Sequence, residues 1–172
     1  MTATRSSNRG RRFRRAYTLV EVLIVVAILG IVSAAVVPSM LSAGAMGVQA
    51  AARIIVSDLL YAQNEAIAHQ AERRVTFDVG ANAYRLVDEN GSALSVDWKN
   101  GKDNNYIIDF TKDSRFQGVT ITSVNFNDGN TVSYDDLGTP SSGGSVTIQY
   151  ERRRYRVDVA AFTGRITVTK LN

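Results

Sequence analysis

One acidic side chain interrupts a long apolar segment near the start of the sequence. Glu21 is the only charged residue of segment 17–37, and the next charge is Arg53. A carboxylate at the centre of a membrane helix costs about 2.5–3.5 kcal/mol, so Glu21 needs a partner. If the chain is cut between Ala16 and Tyr17, the new α-amino group lies four residues from Glu21, about one helical turn away. In a bundle of such helices, Glu21 of one subunit can then pair with the amine of a neighbour and fix the register of assembly.

Arginine and tyrosine side chains gather in the last third of the sequence. At the tip of a predicted hairpin lie Arg152, Arg153, Arg154 and Arg156, with Tyr150 and Tyr155, and we expect Arg165 and Lys170 nearby. Arginines with aromatic rings suit the phosphate backbone of nucleic acid. The alternatives are a solvated turn and a docking patch for an acidic neighbouring subunit.

Other chemistry has less support. His69 falls at a predicted helix end, where a solvated imidazole is ordinary. Asp128, Asp135 and Asp136 have the oxygen ligands that a cation needs, but their spacing is not that of an EF-hand, and turns favour Asp in any case. We interpret residues 163–165, Thr-Gly-Arg, as a structural turn. No nucleophile, base and oxyanion site come together, so we predict no enzyme, no metal and no cofactor.

The composition agrees with these exclusions. The chain has 172 residues, 45% of them hydrophobic and 21% charged, which is typical of a globular domain. It has no cysteine and one histidine, which excludes a disulfide framework, a cysteine nucleophile and a histidine cluster around a metal.

The positive charge belongs to the N-terminus. The net charge is +4, but six arginines lie in the first 16 residues, and without them 14 basic side chains face 16 acidic ones. The rest of the chain is therefore mildly acidic, which argues against nucleic-acid binding by the protein as a whole. Arginines before the apolar segment predict that the N-terminus is cytoplasmic and the C-terminal part is outside.

Three kinds of segment fit residues 17–37, which as a helix span about 31 Å, the thickness of a bilayer core. A secretory signal peptide cut at residues 43–45 has a shorter apolar region than this one. A plain signal anchor explains the length and the orientation but gives Glu21 no partner. A cut before the apolar segment gives it one.

The following elements must position these residues. Ile55, Leu59, Ala62 and Ala66 recur at helical spacing with Ile67 beside them, whereas Asp58 falls largely elsewhere, and the helix is expected to end between His69 and Glu72. From Arg73 the period becomes two, which predicts a hairpin, further strands within YIIDF, GVTITSVNF and TVSYD, and three closing antiparallel strands. Alternation places on buried faces Val75, Phe77 and Val79 in the first strand of the hairpin, Tyr84 and Leu86 in its second, and Val146, Val157 and Val168 in the closing strands. Residues 88–105 and 135–144 are predicted to form loops. The fold class is α+β: a long N-terminal helix packed on an antiparallel sheet.

The N-terminal pattern resembles the class III signal of type IV prepilins. It has a basic leader, a small residue before the cut, an aromatic residue after it, and then T-L-V-E-V-L. Prepilins usually have Gly and Phe where this sequence has Ala16 and Tyr17. Residues 58–77 and 134–168 resemble the GspH/FimT-like minor pilins, with Gln63 in place of a usual Arg, whereas residues 88–128 resemble nothing we can anchor.

The resemblance implies a division of the chain and a set of roles. It implies a cleaved leader over 1–16, a transmembrane and filament-core helix over 17–38, its amphipathic continuation over 39–71, and a periplasmic β domain over 72–172. A prepilin peptidase that is also an N-methyltransferase would cut after Ala16 and methylate Tyr17. Gly30 and Pro38 match positions where pilin helices often carry Gly and Pro and extend during assembly.

The implied function is that of a minor pilin-like subunit. It would be held in the inner membrane and would then join other pilins or pseudopilins near the tip of a type II secretion pseudopilus or a type IV pilus. The alternatives are a minor pilin that binds DNA during uptake through the arginine hairpin, and a membrane-anchored periplasmic binding domain.

Overall fold

A computed structural model describes residues 17–96 and 104–171, with the side chains of residues 34–45 left out. One long α-helix precedes eight strands and a short 3₁₀ turn at Ser114–Phe116. The elements are α1 (Leu19–His69), β1 (Arg73–Asp78), β2 (Ala83–Val87), β3 (Ile107–Asp109), β4 (Thr120–Phe126), β5 (Thr131–Tyr134), β6 (Gly144–Tyr150), β7 (Arg153–Val159) and β8 (Ile166–Leu171).

Helix α1 begins and ends at capping residues. The hydroxyl oxygen of Thr18 accepts a hydrogen bond from the backbone N–H of Glu21 at 3.1 Å, which satisfies one donor of the first turn. At the other end Gln70 takes a positive φ of 47°, and the N–H of Ala71 donates to the carbonyl of Ala66. The helix end predicted between His69 and Glu72 is confirmed.

The chain divides into two compact units, Met1–Ser39 and Met40–Asn172. The second unit contains all eight strands, arranged as two antiparallel sheets in the orders β3-β2-β1-β5 and β4-β6-β7-β8. The predicted α+β class is confirmed, with two four-stranded sheets in place of one. The strands predicted within YIIDF, GVTITSVNF and TVSYD are β3, β4 and β5.

One stripe of α1 forms part of the core of the second unit. The four residues of the predicted stripe, Ile55, Leu59, Ala62 and Ala66, are fully buried, and Val48, Ala51 and Ala52 extend the stripe toward the N-terminus. Ile67, which we expected beside them, is 47% exposed. It lies one position past Ala66, about 100° around the helix, and so leaves the buried face.

Aromatic rings and one amide join the two sheets. The rings of Phe77 in the first sheet and Phe126 in the second lie 6.2 Å apart, centroid to centroid. Asn82, in the turn between β1 and β2, donates from Nδ2 to the carbonyl of Val119 and accepts at Oδ1 from the N–H of Ile121, both at 2.8 Å. The first hairpin therefore holds the start of β4.

The closing strands have the predicted faces. Val146, Val157 and Val168 lie opposite one another across β6, β7 and β8. The first two are fully buried, whereas Val168 on the edge strand is 45% exposed. Val79, predicted to share the buried face of β1, lies after the strand ends and is exposed.

Candidate functional site

The first described residues combine an exposed carboxylate with an exposed apolar surface. Tyr17, Glu21 and Gly30 are all exposed. Apart from the adjoining residues and backbone of α1 itself, no atom of the described chain lies within 4 Å of a Cβ built on Gly30. No residue in the described part of the chain forms a hydrogen bond or an ion pair with the Glu21 carboxylate. Ala16 and the side chain of Pro38 lie outside the described residues, although the backbone of Pro38 belongs to α1.

Apolar side chains cover this part of α1 on every side. Their exposed fractions run from 50% to 82% at Leu19, Val20, Val22, Leu23, Ile24, Val25, Val26, Ile28, Leu29, Ile31 and Val32. A helix that is apolar all round is normally covered by other helices or by lipid. Within the described parts of the chain, no helix combines the length and the apolarity needed to cross a membrane.

A buried carboxylate ties α1 to the first sheet. Asp58 is only 3% exposed, and its two oxygens accept hydrogen bonds from the hydroxyls of Tyr84 at 2.5 Å and Tyr106 at 2.7 Å. Burial is the main cause that raises the pKa of Tyr84 well above its usual value, and the negative charge of the neighbouring Asp58 is the second. Burial also raises the pKa of Tyr106, and its hydrogen bond to Asp58 adds to the effect. Both phenols therefore stay protonated and donate.

The expectation that Asp58 lies off the apolar stripe was wrong. Asp58 follows Ile55 by three residues and precedes Ala62 by four, so it lies on the same helix face. Its charge made it look like a surface residue. The signal that could have identified it is this helical spacing together with tyrosines in the predicted strands.

Two glycine turns pack against Gln63 of α1. Its side-chain Nε2 donates to the carbonyl of Gly138 at 2.8 Å. Gly164 has a φ of +64°, and a Cβ on it would lie 2.6 Å from the same Nε2. The Thr-Gly-Arg segment is thus a turn that requires glycine, as predicted.

The arginine hairpin is divided by strand alternation. Arg153 and Tyr155 lie opposite Tyr150 and Ile148 on the face of the sheet that meets the core, and both tyrosines pack against it. Arg154 and Arg156 lie on the other face. The predicted cluster of arginines with aromatic rings is therefore divided between the two faces.

Arg165 does not belong to this hairpin, contrary to our expectation. It precedes β8, whose Ile166 pairs with Val159 at the far end of β7. The seven residues of β7 place it about 20 Å from the hairpin tip. It lines a polar depression of about 400 Å³ with Asn125, Asp158 and others. Lys170 pairs with Tyr155 and so does lie near the hairpin.

The remaining candidates have structural roles or none. His69 lies 3.2 Å from Glu65, one turn before it on α1. Asp135 accepts at one oxygen from the N–H groups of Leu137 and Thr139, which shapes the loop after β5. In the described part of the chain, no group of three His, Asp or Glu side chains is arranged to hold a metal ion.

Comparison with known proteins gives two family matches. A model described as the prokaryotic N-terminal methylation motif matches residues 11–37, and a model described as type II transport protein GspH matches residues 51–164. No curated protein matches the sequence.

Solved structures share the fold. The minor pseudopilin EpsH from the type 2 secretion system of Vibrio cholerae is 16% identical, with a TM-score of 0.50 over 72% of this chain and 96% of that one. A second EpsH structure has 13% identity and a TM-score of 0.52 over 72% and 95%. The type IV minor pilin FimU of Pseudomonas aeruginosa has 14% identity and a TM-score of 0.50 over 71% and 87%.

Proposed function

The chain belongs to the GspH family of type II transport proteins, and on that premise we propose that it is a minor pilin-like subunit. It enters a type II secretion pseudopilus or a type IV pilus, near the tip. The observation that carries this proposal is the uncovered apolar helix over residues 19–33, whose one charge is Glu21. Such a surface has no use in an isolated subunit and suits a filament core built from like helices.

Processing precedes assembly in this proposal. A prepilin peptidase cuts between Ala16 and Tyr17 and methylates the new N-terminus at Tyr17. The methylation motif that matches residues 11–37 spans this bond. Before assembly the chain lies in the inner membrane, with residues 17–38 spanning it, the leader in the cytoplasm and the β domain in the periplasm.

Glu21 sets the register of the filament core. Glu21 is exposed four residues after Tyr17, surrounded by apolar side chains that assembly would cover. A carboxylate enclosed without a partner is strongly unfavourable, whereas one paired with the amine of a neighbouring Tyr17 is not. Gly30 offers a second feature for close packing, because the space around it is open to a neighbouring helix.

The N-terminal mass of the full chain recovered from membranes tests the processing step. A chain beginning at N-methylated Tyr17 supports the proposal, whereas an uncut chain or one beginning at Met46 contradicts it. The assembly step is tested with Glu21→Gln in the full chain, and Asp128→Asn serves as the control at an exposed carboxylate of the β domain. We expect the Gln variant to be cut normally but to fall at least about tenfold in the filament fraction. Breaking a buried ion pair costs about 3–5 kcal/mol, and 1.4 kcal/mol already corresponds to tenfold.

A second candidate function is DNA binding during uptake. It is favoured by Arg154 and Arg156, which lie two residues apart on the exposed face of β7, although Arg156 also pairs with Asp158 at 2.9 Å. Replacing both arginines with Ala should lower DNA affinity and flatten its dependence on salt. Unchanged DNA binding would remove this candidate and leave the subunit role intact.

A further inference from the structure

The four sheet edges of the second unit differ in what blocks them. Strands β3 and β5 are the edges of the first sheet, and β4 and β8 are the edges of the second. Free strand edges bind other strands, so proteins shorten, bend or cover them. Strand β3 has only three residues, and β4 has an irregularity between Ile121 and Ser123. Beside β5, the N–H of Ser141 donates to the carbonyl of Ser133 at 2.8 Å, so a loop covers that edge.

Strand β8 has none of these features. It pairs with β7 over six consecutive residues without a shift in register, and residues 167–170 are all exposed. Its isoleucine, valine and threonines are residue types that favour strands. In the described part of the chain, β7 is the only strand beside it. The second edge of β8 is therefore open.

The backbone groups at this open edge follow from strand alternation. The N–H of Ala160 donates to the carbonyl of Arg165 at 2.9 Å, so the backbone of Arg165 faces β7. Successive residues of an antiparallel strand face opposite edges. The N–H and C=O groups of Ile166, Val168 and Lys170 therefore point away from β7, and no other described segment forms backbone hydrogen bonds with them. They can bind one further strand.

The two faces of the sheet beside this edge favour different side chains. Val168 lies opposite the buried Val157 on the core face but is 45% exposed, so an apolar side chain on an added strand would cover it. On the other face, Arg156 lies opposite Thr169. Arg165 lies on that same face, because it precedes Thr169 by an even number of residues. Carboxylates suit the face that carries these two arginines.

The charge of the whole region identifies an acidic partner. Residues 150–171, which include β7, β8 and their turns, carry six basic side chains and two acidic ones, Glu151 and Asp158. Asp158 pairs with Arg156 at 2.9 Å, but the excess of positive charge remains. Pairing β8 with β8 of a second copy would bring two such regions together, which is unfavourable, and the other edges of a second copy are blocked. The partner is therefore a different protein.

We propose that β8 binds an extended segment of a different protein as a fifth, antiparallel strand of the second sheet, in which every other pair is antiparallel. The segment alternates apolar side chains, which cover Val168, with acidic ones on the face of Arg156 and Arg165. Hydrogen bonds between main chains supply affinity, and the alternating side chains supply specificity. The contact ends after one addition, which suits a minor subunit. It goes beyond the proposed function, because the edge is open whether or not the chain enters a filament.

Synthetic peptides test this edge with the natural full chain in neutral detergent. The probe is a labelled eight-residue peptide that alternates valine and glutamate, and fluorescence anisotropy at pH 7 measures its binding. It should bind at least about tenfold more tightly than a peptide that alternates valine and lysine. Valines that lie beside Val168 in an antiparallel pair have their amides toward β8. Methylation of the valine amides should therefore abolish binding, whereas methylation of the glutamate amides, the matched control, should leave it nearly unchanged.

Variants of the full chain test the same edge from the protein side. Val168→Pro removes an outward N–H that makes no bond to β7, a position where a strand tolerates proline. Val168→Ala is the matched control, since it shortens the side chain and keeps the N–H. The proline variant should bind the valine–glutamate peptide about tenfold more weakly than the alanine variant. Arg165→Glu, at an exposed position, should weaken the same peptide and favour the valine–lysine one, and it decides the test if the proline variant melts early.

Amide hydrogen exchange, resolved by NMR of the isotope-labelled full chain, tests the alternation directly. Without peptide, the amides of Ile166, Val168 and Lys170 should exchange faster than those of Thr167 and Thr169, which face β7. The valine–glutamate peptide should slow the first three by at least about tenfold and leave the amides of β4 unchanged.

Several results would overturn the inference. They are uniform exchange along β8, no binding of the acidic peptide, equal binding of the two methylated peptides, and equal binding by the Val168→Pro and Val168→Ala chains. A short DNA duplex that binds where the acidic peptide does not would also overturn it and would support the second candidate function. The N-terminal mass of the same preparation reports the prepilin pathway separately. A chain that begins at Tyr17 but binds no acidic peptide would remove the strand contact and leave the proposed function standing.

Discussion

Removing one hydroxyl from the buried carboxylate cluster should destabilise the second unit. Tyr84→Phe deletes the donor that lies 2.5 Å from Asp58 and leaves Tyr106 as the other phenol donor. A hydrogen bond to a charged group contributes about 1.5–3 kcal/mol, so the free energy of unfolding should fall by that amount. The matched control is Tyr134→Phe. Tyr134 is equally buried, but its hydroxyl finds no hydrogen-bond partner in the described part of the chain, so its loss should be neutral or slightly stabilising.

The assay is denaturant unfolding of the full chain in detergent, monitored by circular dichroism at pH values between 7 and 11. Because the pKa of Tyr84 is raised above its usual 10.0 in the folded state, the unfolded chain loses this proton first. The stabilisation is therefore complete below pH 10 and is lost as pH rises above it, at up to about 1.4 kcal/mol per pH unit for each such tyrosine. Tyr84→Phe should make this alkaline slope shallower. If Tyr84→Phe costs no more than Tyr134→Phe at pH 7, our reasoning about the cluster is wrong.

Two further predictions concern a turn and a loop carboxylate. Gly164→Ala should lower the melting temperature more than Gly91→Ala, because both have a positive φ but only Gly164 has a neighbouring side chain in the way of a Cβ; equal losses would mean that φ alone matters. Hydrogen bonds to Asp109, the strongest from the hydroxyl of Thr111 and the next from Lys112, lower its pKa from 3.8 to about 2. Any stability that this carboxylate contributes is therefore present above pH 4 and is lost as pH falls toward 2. Thr111→Val should raise that pKa in an NMR titration, and an unchanged value would exclude the hydroxyl as its main cause.

Sequence periodicity was sufficient to predict secondary-structure elements and core-facing residues on them. Helical spacing identified Ile55 and Leu59 as core residues, and alternation identified Tyr84 and Leu86, all of which are buried. These patterns are local, since each depends on residues within one or two turns or along one strand. They identify which face of an element is buried without stating what covers it.

Local sequence patterns could not predict which strands pair with one another. β1 pairs with β5, and β4 with β6, and these long-range pairs divide the eight strands into two sheets. The same limitation explains the error at Arg165, which is close in sequence to the arginine hairpin but at the opposite end of β7. At Asp58 the chemical type of the residue misled the prediction, because the partners that make its burial favourable come from strands far along the chain.

We expect the two hydrogen bonds of the Asn82 amide to form late in folding. It belongs to a hairpin whose two strands are neighbours in sequence and can form early, whereas its partners, Val119 and Ile121, lie 37 and 39 residues away and must wait for a long loop to close. Once formed, the hairpin serves as a template that accepts β4 in one alignment. A shift by a single residue would turn Ile121 from the core to solvent. Chains without this amide should therefore misalign β4 and aggregate while refolding, even where the finished fold tolerates the change.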